Sequence, residues 1–326
     1  MSGCDLMQSA LSCQPTGGAV PLWELEFQAW DQASGQHIVL GREFERLSPA
    51  EQDRALNRNA EIIAAVADDL GFSAVTVPSG YWEIAPGEPA FYWLPPEARL
   101  AQVRLIKKAL ADRVMVLAVS GEVMSMPGAS TYVEFSYKLF DAPEQIDQSA
   151  REILAGGLRT AATLRDLGVD AVVAAADIAD NHGPFFSPPQ MERFYLPYVR
   201  QWAAGVKAMG LRAILHTDGD IRPCLESLAG TGIEGIQAID PTAGMDMRGA
   251  LDAARGRVCL CGNIDCGVLL TGRPADVYNA TAKLLAQCGS TPGLVLGASN
   301  AVQPETPIEN YRQMVAALRD YQRSVR

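Results

Sequence analysis

What most constrains this chain is a repeated change of period. From about residue 50 onward, segments with apolar residues at helical spacing alternate with short runs that are apolar throughout. "SPAEQDRALNRNAEIIAAVADDLG" opens with Ser48 and Glu51 at capping-box spacing and closes at Gly71, and the strand "SAVTVP" follows. The same succession reads "PPEARLAQVRLIKKALADR" then "VMVLAVSG", and "APEQIDQSAREILAGGLRTAATLRDLG" then "VDAVVAAAD". Next, "SPPQMERFYLPYVRQWAAGVKAMG", with Ser187 as cap, precedes "LRAILHTDGD". It continues through "IEGIQAI", "VCLCGNID" and "GLVLGAS", each preceded by a helical segment, and ends in the helix "PIENYRQMVAALRDYQ". With a first strand in "VPLWELEF", the count is about eight strands separated by helices, which predicts an α/β fold of the (β/α)8 TIM-barrel type. No linker or low-complexity tract interrupts the 326 residues, so one domain over 1–326 is expected, with 1–19 as an N-terminal extension.

Such a barrel places its chemistry where strands end and loops begin. Here those points carry Glu24 and Glu26, Tyr81 and Trp82, Glu122, Asp177, His216 and Asp218, Asp240, Asn263 and Asp265, and Ser299 and Asn300. The expected pocket is acidic and rich in amides. His216 is the sharpest candidate, because imidazole ligates metals and moves protons near neutral pH, and only three histidines occur in the chain. Asp218 lies two residues on and shares its face if the strand persists, so both could meet one ion or one substrate. Asp220 is expected to cap the helix "IRPCLESLAG". Asp177 ends an apolar run and reads either as a pocket residue or as a loop-capping carboxylate. Tyr81 and Trp82 begin an aromatic, proline-rich loop that could wall a site, although aromatic residues also simply pack.

Several function classes fall away. The net charge of −11 argues against nucleic acid or an anionic membrane as partner. No apolar run approaches a membrane span and the first residues lack a signal-like core, so a cytoplasmic location is expected. The seven cysteines imply no disulfide framework, and Cys259, Cys261 and Cys266 match no zinc spacing; Cys259 and Cys261 read as packing residues. Neither a phosphate-cradling G-x-x-x-x-G-K-[ST] or G-x-G-x-x-G nor a G-x-S-x-G elbow is present.

Taken in order, "HTDGDIRP", "GNID" followed by "LLTGRPADV", and "LGASNAVQPETPIEN" resemble the uroporphyrinogen decarboxylase superfamily, which includes cobamide-dependent methyltransferases. "VPLWELEF" and "ADIADNHGPFFSPPQMERFYLPY" extend the likeness, and Pro304 to Asn310, P-E-T-P-x-E-N, is its most specific piece. The Arg-Gln-Ala-Gly-Arg-Tyr segment of true uroporphyrinogen decarboxylases is absent. In its region stand Glu24 and Glu26, which would repel a polycarboxylate substrate.

In the thiol methyltransferases of the superfamily, zinc is held by a His-x-Cys pair and a late cysteine. His216 matches that pattern, whereas Asp218 and Asn300 occupy the two cysteine positions. The resemblance therefore implies an oxygen-rich zinc site of His216, Asp218 and a third ligand among Glu24, Glu26 and Glu122. Asp177 is expected as a catalytic group and Tyr81, Trp82, Asn263 and Asn300 as substrate contacts, and the resemblance implies methyl transfer between a small methoxylated substrate and a corrinoid carried by a partner protein. A homodimer is left open. Two alternatives stand beside it: a metal-independent lyase in which Asp177 or Asp218 stabilises a cationic intermediate, and a ligand-binding paralogue without catalysis.

Overall fold

A computed structural model describes residues 1–78, 83–85, 88–89, 92–121 and 123–325. Tyr81, Trp82 and Glu122 lie outside the described residues. Seven parallel strands follow one another in sequence order: β1 (Ala74–Thr76), β2 (Met115–Val119), β3 (Ala171–Ala175), β4 (Arg212–Thr217), β5 (Gly235–Ala238), β6 (Cys259–Cys261) and β7 (Leu294–Val295). Consecutive neighbours joined by helices are what a βα repeat produces when every crossover has the same hand. The main connecting helices include Pro49–Leu70 before β1, Pro96–Leu110 before β2, Pro143–Asp166 before β3 and Leu196–Ala208 before β4. Ser48 and Glu51 form the expected capping box, and Gly71 ends that first helix at a φ of 81°.

The strands are mostly apolar, with His216 and Gln237 among the buried polar exceptions, because both faces are covered. Alternate residues sort between them. Met115, Leu117 and Val119, Ala171 and Val173, Ile214, and Cys259 and Cys261 face one interior cluster. Their neighbours Val116, Ala118, Val172, Ala174, Leu215 and Leu260 pack in a second cluster with the helices. Cys259 and Cys261 are thus interior packing residues, and all seven cysteines are free thiols.

Residues 1–19 are more than an appendage. The helix Gly3–Leu11 inserts Met7, Ala10 and Leu11 into the interior cluster, and Cys4 N–H donates to the Arg113 carbonyl just before β2. This helix closes the end of the sheet where the strands begin. Gly235 belongs to that contact, since a Cβ there would lie 3.1 Å from Leu11 and 3.3 Å from Ile214.

The expected first strand in "VPLWELEF" is not a regular ladder. Leu22 bridges Leu296 and Phe27 bridges Val302 at single positions, while Ser73 N–H donates to the Leu22 carbonyl. Side chains take the places a ladder would use: Ser73 Oγ accepts from Leu22 N–H, Thr76 Oγ1 donates to the Glu24 carbonyl, and Glu24 Oε2 accepts from Ala298 N–H. The segment therefore hydrogen-bonds to both edge strands without lengthening either. Among the described residues, no helix is long and apolar enough to cross a membrane.

Candidate metal centre at the strand ends

The two-residue period that builds the interior also aims the polar groups. Ile214 faces inward on β4, so His216 and then Asp218 continue the same face. In the parallel register Ala175 pairs with His216, and His216 with Gln237, which places the end of β3 and the end of β5 on either side of the imidazole. Asp177 lies two residues beyond Ala175. The sheet thus gathers Asp177, His216 and Asp218, whose ligand atoms lie within 4.8 Å of one another.

His216 is 4% exposed, and its two ring nitrogens have different surroundings. Nδ1 lies 2.5 Å from Gln237 Oε1. Nε2 faces the carboxylates, 3.7 Å from Asp177 Oδ1 and 3.9 Å from Asp218 Oδ2. Each carboxylate is held in turn: Asp218 N–H donates to Asp177 Oδ1 at 2.9 Å, and Asn300 Nδ2 donates to Asp218 Oδ2 at 2.5 Å.

Burial pushes the Asp218 carboxyl up to about 6; the nearby charges of Asp177 and Asp240 act in the same direction, and His216 opposes them. Among the described residues, His216 is the only ion-pair partner of Asp177 or Asp218. The cluster therefore concentrates negative charge without a lysine or arginine to balance it, an environment that favours a bound cation. Its spacing fits as well. Ligands of a tetrahedral zinc ion stand about 3.4 Å apart; His216 Nε2 lies 3.7 and 3.9 Å from the two carboxylates, and all three ligand atoms lie within 4.8 Å of one another.

Glu24 and Glu26 were expected to compete for the third ligand position, and the structure corrects this. Trp23 and Leu25 point into the interior cluster, which turns Glu24 to the other face. There Glu24 Oε1 accepts from the Tyr311 hydroxyl at 2.8 Å and Oε2 from Ala298 N–H at 2.9 Å. Burial pushes the Glu24 carboxyl up to about 8, and these two hydrogen bonds partly offset it. Glu26 accepts from Gln28 Nε2 at 3.1 Å and also lies outside the cluster. Among the described residues, which leave out Glu122, the third potential ligand is Asp177.

Other expected residues take defined places. Asn300 touches the cluster through Asp218, whereas the Asn263 amide donates to the Ile239 carbonyl at 2.8 Å and braces the loop after β5. Asp220 does not cap a helix: its Oδ1 accepts from Arg222 N–H and both oxygens hold the Arg222 guanidinium, while the helix Leu225–Ala229 begins after Cys224. Between the two aspartates, Gly219 has a φ of +86°, and a Cβ there would lie 2.6 Å from the Ala179 carbonyl. "HTDGD" needs its glycine because the chain turns away from the cluster against a neighbouring backbone. His182 is exposed beside Asp180 and is not part of the cluster.

Sequence reasoning missed Gln237. Its only signal was one amide in the otherwise apolar strand "IEGIQAI", two residues beyond an inward-facing glycine. A cavity of about 500 Å³ lined by Trp30, Tyr92, Trp93 and Gln28 contains none of the three clustered residues. Side-chain chemistry, not volume, locates the candidate centre.

The family model described as "Uroporphyrinogen decarboxylase (URO-D)" matches residues 98–321. The chain belongs to the uroporphyrinogen decarboxylase family. Within that family it is 26% identical over 229 residues to a uroporphyrinogen decarboxylase from Chlorobaculum parvum, covering 67% of this chain and 63% of the relative. It is equally 26% identical, over 231 residues, to the methylcobamide:CoM methyltransferase MtaA from Methanosarcina barkeri, covering 69% of this chain and 63% of that protein. The matches thus span under two thirds of the length of these curated family members. A solved structure of a methyltransferase from Methanosarcina mazei superposes with a TM-score of 0.75 at 17% identity over 98% of this chain and 99% of that one, which shows a shared fold. The fold shared with that methyltransferase thus extends beyond residues 98–321 to 98% of the chain.

Proposed function

We propose that this protein is a corrinoid-dependent methyltransferase that moves a methyl group between a small methoxylated substrate and a corrinoid held by a partner protein, with zinc at Asp177, His216 and Asp218. The observation that carries this reading is the convergence of His216 Nε2 and two carboxylates that have no other ionic partner among the described residues. The relative named as a methylcobamide:CoM methyltransferase supports methyl transfer as the reaction class. A zinc ion held by one nitrogen and two oxygens would supply a Lewis acid suited to an ether or phenolic oxygen. Within the chain, Asn300 fixes the Asp218 carboxylate and the Asp218 amide fixes Asp177. Asp177, with its side chain 42% exposed, presents the cluster to the mouth where a substrate enters.

This reading takes the chain as one cytoplasmic (β/α)8 domain in which Pro21 to Phe27 is the eighth stave. The hydrogen bonds of that segment to Leu296 on one side and Ser73 on the other support it. Metal analysis of protein purified without added zinc tests the function. About one equivalent in the wild type and none in His216→Ala is expected; a metal-free wild type that binds no corrinoid protein overturns the proposal.

A metal-independent decarboxylase-like lyase is the second reading. It is favoured by the Asp218 carboxyl, which at about 6 exchanges protons near neutral pH beside an imidazole. Under that reading Asp177 or Asp218 meets a cationic intermediate directly, and removing metal ions leaves activity unchanged.

A further inference from the structure

Gln237 is fully committed, and the direction of its amide can be read from its partners. Its Nε2 lies 3.2 Å from the Ala298 carbonyl and 3.3 Å from the Ser299 carbonyl, and both oxygens can only accept. The NH2 end must therefore face them, leaving Oε1 toward the His216 ring. Oε1 is itself only an acceptor, so Nδ1 carries a proton across the 2.5 Å contact, and in the neutral ring that is the one ring proton. With Gln237 1% and His216 4% exposed, water has no access with which to relax this assignment.

We infer that Gln237 is a positioning residue that locks His216 in the Nδ1–H tautomer and so directs the Nε2 lone pair at Asp177 and Asp218. The carbonyls that orient Gln237 are anchored in turn, because Ala298 N–H donates to Glu24 and Glu24 accepts from the Tyr311 hydroxyl. Asn300, the next residue after Ser299, donates to Asp218. One loop, Ala298 to Asn300, thereby sets both groups of β4: His216 through Gln237 and Asp218 through Asn300. Buried Glu24 gains a reason to exist at a barrel end where it is not a ligand.

The consequence for metal affinity rests on the cation-binding reading above, whereas the tautomer does not. Long-range proton–nitrogen correlation spectra of nitrogen-15-labelled, chelator-treated protein, with the ring neutral and the resonance assigned by its loss in His216→Ala, read the tautomer directly. A protonated Nδ1 and a bare Nε2 are expected in the wild type. Gln237→Glu, which still accepts from Nδ1–H, retains this pattern, and Gln237→Leu shifts it toward the Nε2–H form. Zinc affinity should fall about 10- to 100-fold in Gln237→Leu and recover in Gln237→Glu, as for other outer partners of ligating histidines. An Nε2–H tautomer in the wild type, or an unchanged Nδ1–H pattern in folded Gln237→Leu, overturns the inference. A wild type that binds no zinc yet holds the Nδ1–H tautomer sinks the cation reading alone.

Discussion

The two ends of the same strands have opposite chemistry. Where the strands begin, Met7, Ala10 and Leu11 share one apolar cluster with Ile214 and Cys259. Where they end, the same inward rows run on to Asp177, His216, Asp218 and Gln237. On β3 the row is Ala171, Val173, Ala175, Asp177; on β4 it is Ile214, His216, Asp218; on β5 it is Gly235, Gln237. A step of two residues is enough to pass from core to site. The division matters energetically, because the closed end can carry stability while the polar end holds carboxylates near one another.

This contrast can be broken at several points. The largest effect is expected from Asp177→Ala, which removes the proposed ligand that follows β3 rather than β4. Bound zinc should fall by more than the ~10- to 100-fold seen for an outer partner, by metal analysis and titration. Thermal stability should stay within about 1 kcal/mol, since the side chain is 42% exposed and water can take over its contacts. Leu11→Ala should do the reverse: a loss of about 2–5 kcal/mol in denaturant unfolding, from a side chain 2% exposed, with metal content unchanged. If Leu11→Ala emptied the metal site, the two ends would be coupled and the separation would fail.

A smaller effect concerns pH. In the metal-free protein the Asp218 carboxyl is raised from 3.8 to about 6, so the folded state holds its proton more tightly than the unfolded chain. The contribution is fully present below about pH 4 and is lost as pH rises through about 6. Comparing wild type with Asp218→Asn between pH 4 and pH 8 in chelator should isolate a difference on the order of 1–2 kcal/mol, reduced by the partial exposure of the group. Metal binding runs the opposite way, strengthening from pH 5 to pH 7 as the proton leaves. The smallest effect is expected from Asp220→Ala. Its Arg222 pair is exposed on the arginine side, and the loss should stay below about 1 kcal/mol in thermal unfolding, with metal content unchanged. A large loss there would make the turn after the cluster part of its support.

Most of the architecture was legible because it is written in local periods. The capping box at Ser48 and Glu51, the glycine stop at Gly71 and the apolar strands all follow from contacts within a few residues. "VPLWELEF" was read as an ordinary strand because its pattern cannot reveal that its backbone pairing is confined to isolated bridges supplemented by the Ser73, Thr76 and Glu24 side chains. Asp220 was read as a cap for a similar reason: the alternative, a turn closed on Arg222, uses the same residue type at nearly the same spacing.

For the centre itself, the sequence alone determined that His216 and Asp218 share a face, because the strand period is a local property of the backbone. It could not determine who stands beside them. Asp177 and Gln237 reach the imidazole only because β3 and β5 flank β4 in a register that sets Ala175 and Gln237 level with His216. Likewise, only the packing of Trp23 and Leu25 into the interior sends Glu24 to Tyr311 and Ala298 and away from the cluster. Neighbours on one strand are fixed by the covalent chain, whereas neighbours across strands are fixed by how the whole sheet packs.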